Sequence, residues 1–142
     1  MKKILFSLLA MVLLVGCRND DTSVEQNVEY QTLLKGNDLH KYNDLSDNLT
    51  LVISNATEFE DFVSQVEFDT TDFPEVDYNE SMVIVVLGKL NTLGSDYEIL
   101  NIEEQGNFIK VNTKELVYDS AVMSKPFHVV KISKTNKTII FN

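Results

Sequence analysis

From about Val28 onward, short apolar runs alternate with polar turns, and the spacing within each run predicts an element. "YQTLLKG" (30–36) reads as a strand closed by Gly36. "NLTLVISN" (48–55) puts Leu49, Leu51 and Ile53 on one face, the two-residue period of a strand. The period then changes. Phe59, Phe62, Val63 and Val66 recur at i, i+3, i+4 and i+7, the apolar stripe of a helix over about 57–66. Thr57 and Glu60 have capping-box spacing, and Glu58, Glu60 and Asp61 suit the positive end of the helix dipole.

The acidic stretch "DTTDFPEVDYNE" (69–80) reads as a connection broken by Pro74. "SMVIVVLGK" (81–89) has no polar alternation, which predicts a central strand buried on both faces. "DYEILNIEE" (96–104) and "NFIKVNTKEL" (107–116) form a hairpin signal through Gln105-Gly106. Pro126 opens the strand "PFHVVKIS" (126–133), where a missing N–H is tolerated. "KTNK" then turns into a last strand, "TIIF" (138–141). The predicted class is β-dominated α+β: a largely antiparallel sheet or sandwich with one helix. Residues 29–142, about 115 in number, match the size of one domain.

The first residues follow a different grammar. Met1-Lys2-Lys3 precede an apolar run from Ile4 to Val15, then Gly16-Cys17. A basic start, a short apolar stretch and a small residue before a cut define a secretory signal. A membrane-spanning helix needs ~20 apolar residues, more than this run supplies. Leu14-Val15-Gly16-Cys17 resembles a bacterial lipobox, in which the thiol takes diacylglycerol and the new amino terminus is acylated after cleavage. Residues 1–16 are therefore read as the signal peptide and Cys17 as the lipidation site. Cys17 is the sole cysteine, so an internal disulfide has no partner.

Residues 17–28 form a polar, acidic tether. Asp20-Asp21 resembles the acidic export signal by which some Gram-negative groups display lipoproteins on the outer membrane surface; a plain solvated tether has the same composition. The expected location is the cell envelope, at the outer membrane.

Charge narrows the partners. The formal net charge is −10, and loss of Lys2 and Lys3 with the signal takes it to −12. Such a surface disfavours nucleic acid and electrostatic docking on anionic lipid, leaving the acyl anchor as the membrane contact. Catalytic signatures are missing: there is no Gly-x-Ser-x-Gly elbow and no phosphate loop. His40 lies in "NDLHKYND" without a nucleophile signature. His128 shares a strand face with Val130 and Ile132, the setting of a hydrogen-bonded, partly buried histidine. Asp69, Asp72, Glu75, Asp77 and Glu80 lack the ligand spacing and central glycine of a calcium loop, so they read as a solvated run. The chain is read as a non-enzyme with no metal and no cofactor beyond the lipid on Cys17.

Three segments in order, "FPEVDYNESMVIVVLG" (73–88), "NTLGSDYEILNIEE" (91–104) and "SKPFHVVKISKTNKTIIF" (124–141), resemble the PrcB C-terminal domain family. That family is named for a lipoprotein that belongs to, and stabilises, a protease complex. The resemblance is strongest over 73–141. It implies a lipid-anchored protein-binding module whose partner is a protease or another protein. The family's compact Thr-Gly-Gly-Tyr turn is stretched here into Thr92, Gly94 and Tyr97, interrupted by Leu93, Ser95 and Asp96. The compact turn is itself similar to an inhibitory loop of chagasin-type protease inhibitors. The implied binding residues are Thr92, Gly94, Asp96 and Tyr97. A small-molecule, glycan or peptide-binding lipoprotein, with or without protease inhibition, is the alternative.

Overall fold

The computed structural model describes residues 25–37, 48–66, 73–120 and 122–142. Among these described residues, eight strands and one helix follow in chain order: β1 (Gln26–Asn27), β2 (Tyr30–Gly36), β3 (Thr50–Ile53), α1 (Ala56–Gln65), β4 (Ser81–Leu87), β5 (Ser95–Gln105), β6 (Phe108–Val117), β7 (Phe127–Ser133) and β8 (Thr138–Phe141). They make two four-stranded sheets, ordered β1-β5-β6-β8 and β2-β7-β4-β3. Every pairing is antiparallel except β6 with β8. The β-dominated α+β class follows directly from this arrangement.

The sheets stack, and α1 covers the outer face of the second. Between the sheets lie Met82, Ile84, Val86, Ile99, Ile102, Ile109, Val111, Val130 and Ile132. Between the second sheet and α1 lie Ile53, Phe62, Val66, Val83, Val85, Leu87 and Val129. Strand β4 therefore sends alternate residues into two different cores. That is why its sequence shows no polar alternation.

Three local details differ from the sequence-based expectation. The helix starts one residue earlier, and its cap is Asn55 rather than Thr57. The Asn55 side chain accepts from Glu58 N–H at 2.9 Å. The Glu58 carboxylate reaches back to Ser54 N–H at 2.7 Å and so closes the turn. These bonds, Ser54 N–H first, hold the Glu58 carboxyl below its ordinary pKa. An asparagine oxygen at this spacing caps as well as a threonine hydroxyl, and the extended backbone of Asn55 places it there.

The hairpin turn falls on Gly106-Asn107, because Gln105 and Phe108 are still paired. Gly106 has a φ of +58°, the left-handed region that favours glycine. Finally, Gln26 and Asn27, at the end of the polar tether, pair with Glu104 and Glu103 as β1. Cys17, Asp20, Asp21, His40, Asp69 and Asp72 lie outside the described residues.

Side chains also join the two sheets. Strand β1 is short, so among the described residues the upper half of β5 has no neighbouring strand on that side, and a bulge interrupts β5 between Ile99 and Asn101. Ile99 N–H donates instead to His128 Nδ1 at 3.0 Å. Its carbonyl accepts from the Tyr30 hydroxyl at 3.1 Å. A Lys35–Glu98 ion pair of 2.7 Å ties β2 to β5 beside them.

Candidate functional site

The implied binding residues sit where two connections leave the sandwich side by side. Residues 88–94 link β4 to β5, and residues 118–126 link β6 to β7, so both pass from one sheet to the other. Backbone bonds stitch them together. Asn91 N–H donates to Ser124 O at 2.8 Å, and Ser124 N–H returns a bond to Asn91 O at 2.9 Å. Tyr118 N–H donates to Gly94 O at 2.7 Å.

Beneath this ladder lies a buried pair of serines. Ser124 Oγ donates to Leu93 O at 3.1 Å and accepts from Ser95 N–H at 2.7 Å. A hydroxyl has one proton. With that proton directed at Leu93 O, the 3.0 Å contact between the serine hydroxyls has Ser95 as its donor. Both serines are buried, so each of these bonds satisfies a group that water cannot reach.

The four implied residues divide by role. Thr92 is exposed at the turn. Gly94 is buried, and a Cβ there would collide with Ser120 Oγ, so the glycine permits a close approach of the two connections. Its N–H also donates to that hydroxyl at 3.1 Å. Asp96 is half-buried and accepts from the Tyr118 hydroxyl at 2.9 Å, and this bond raises the tyrosine pKa. Tyr97 faces inward against the core, with its hydroxyl 3.2 Å from Thr113 Oγ1. Gly94 and Asp96 thus position the tip, Tyr97 anchors it, and Thr92 is presented outward.

A further surface feature belongs to residues outside the four implied ones. Leu90, Leu93, Tyr118, Val122 and Met123 on the paired connections, and Val117 at the adjoining end of β6, are large exposed apolar residues, from 40% for Leu93 to 63% for Met123. Tyr118, Ser120, Val122, Met123, Gly94 and Asn37 line a hollow of about 410 Å³. The readable signal was "LVYDSAVMSKP" (116–126), where apolar residues resume past Asp119-Ser120 after the strand period has ended.

Other candidate chemistry is used internally. His128 is 4% exposed, and both ring nitrogens are engaged: Nδ1 accepts from Ile99 N–H, and Nε2 meets Thr32 Oγ1 at 2.9 Å. The backbone donor fixes Nε2 as the protonated nitrogen of the neutral ring. Burial pushes the His128 pKa down to about 4. Asp77 caps the turn into β4 by accepting from Asn79 N–H at 2.9 Å. Among the described residues, no group of three or more His, Cys, Asp or Glu side chains could hold a metal ion.

The fold and tip define a β-rich sandwich that presents paired apolar connections at one end. Comparison with family models, curated proteins and solved structures finds no significant match for this chain.

Proposed function

We propose that the chain is a lipid-anchored envelope protein whose tip, formed by residues 89–97, 117–120 and 122–124, binds and stabilises another protein, a protease in the first instance. The supporting observation is the exposed apolar set Leu93, Val117, Tyr118, Val122 and Met123. Exposed apolar patches of this kind mark interaction sites. The ladder beneath them limits the entropy lost when a partner docks. In this reading Cys17 carries the lipid, and residues 17–28 span the gap between membrane and domain.

The test is affinity capture from detergent-solubilised envelope, with the wild-type chain and two tip variants, Leu93→Asp and Met123→Asp. Phe108→Asp serves as a control, since Phe108 is equally solvent-facing at the far end of β6. A specific partner retained by the wild type and the control, and lost from both folded tip variants, is the expected result. Equal capture by all four chains, or no specific partner for the wild type, overturns the reading.

A further inference from the structure

A second surface lies away from the tip, on the open side of β3. Among the described residues, strand β3 ends its sheet and pairs only with β4. Leu87 N–H donates to Leu49 O at 2.8 Å, so the odd-numbered residues Leu49, Leu51 and Ile53 aim their backbone groups at β4. The N–H and C=O groups of Thr50 and Val52 therefore point outward, and no described residue pairs with them. Edge strands are usually blunted by a bulge, a proline or a lysine. Strand β2 has both a bulge and Lys35. Strand β3 reads Thr-Leu-Val-Ile, with an even register and no charge.

A groove runs beside that edge. Leu49, Leu51, Ile53 and Phe62 form its apolar walls and Glu58 and Asp61 its rim, around a hollow of about 350 Å³. Both acids lie on the exposed face of α1, and the bonds from Ser54, its backbone N–H first, hold the Glu58 carboxyl below its ordinary pKa. We propose that the β3–α1 groove accepts an extended peptide segment of another protein as a fifth strand, with alternate residues Lys or Arg. The peptide backbone would pair with Thr50 and Val52. Its helix-facing side chains would lay their methylenes along Leu51 and Phe62 and bring their cationic heads to Glu58 and Asp61. A second copy of this chain fits the groove less well, because each copy would bring the same two carboxylates to the shared seam. This site is independent of the tip, and its test does not depend on any partner found there.

The probe is an end-capped heptapeptide of alternating valine and lysine, with a valine–glutamate peptide as its counterpart. Binding to the full chain is read by fluorescence anisotropy and by amide hydrogen exchange at Val52. The valine–lysine peptide should bind and slow Val52 exchange about tenfold or more, whereas the valine–glutamate peptide should do neither. Asp61→Lys should weaken valine–lysine binding about tenfold. Val52→Pro removes an outward N–H that the β4 ladder does not use, and should abolish binding in a folded chain. Equal binding of the two peptides, unchanged Val52 exchange, or undiminished binding by folded Val52→Pro overturns the proposal. Concentration-dependent protection of Val52 in the chain alone also overturns it, by showing that a second copy occupies the edge.

Discussion

The backbone N–H of Ile99 donates to Nδ1 of His128 at 3.0 Å, across the space between the two sheets. The donor belongs to a bulged strand with no neighbour on that side among the described residues, and the acceptor is a buried imidazole. The bond requires a neutral ring, because a protonated histidine has no acceptor nitrogen.

Stability should therefore fall with acid over a defined window. The His128 pKa drops from 6.5 to about 4 on folding, through burial first and the nearby Lys35 charge second, with Glu98 opposing. Between these values the unfolded chain binds the extra proton, so its stabilisation is complete above pH 6.5 and is lost as pH falls toward 4. The loss is on the order of 3 kcal/mol. Urea unfolding from pH 4 to 7 should show it, and His128→Gln should flatten that part of the profile. Identical profiles for the two chains would exclude the imidazole as the cause.

Removing the hydroxyl of Ser124 should weaken the tip. Ser124→Ala leaves the buried Ser95 N–H and the Leu93 carbonyl without their partner. The expected cost is about 1–3 kcal/mol in chemical denaturation. Amide exchange should quicken at Ser95 before it does in β4.

The position of the helix cap can be read from two alanine variants. Asn55→Ala removes the acceptor of Glu58 N–H and should cost about 1 kcal/mol. Thr57→Ala lies inside α1 and should change stability by about 0.5 kcal/mol or less. The reverse order in denaturant midpoints would return the cap to Thr57.

For the anchor, Cys17→Ala should abolish fatty-acid labelling and shift the chain out of the membrane fraction or leave an uncut precursor. Normal labelling of the variant would exclude Cys17 as the lipid carrier. Protease shaving of intact cells should remove the wild-type domain and spare an Asp20→Ala, Asp21→Ala double variant, if these acids direct surface display. Equal shaving would reduce them to tether.

Periodicity alone located the globular elements, because burial of one strand face or one helix stripe leaves a direct trace in residue order. Residues 81–87 announced a doubly buried strand, and Phe59, Phe62, Val63 and Val66 announced the inward stripe of α1. The cap was two residues off because asparagine and threonine offer a similar acceptor oxygen, and only the extended backbone of Asn55 shows which is used. Long-range pairing left no such trace. Nothing local in "TIIF" states that β8 runs parallel to β6. Ser95 and Ser124, 29 residues apart, meet only because two connections cross between the sheets together. The apolar tip and the open edge of β3 are likewise products of strand order: sequence supplies apolar residues, and tertiary structure decides which of them are left facing water.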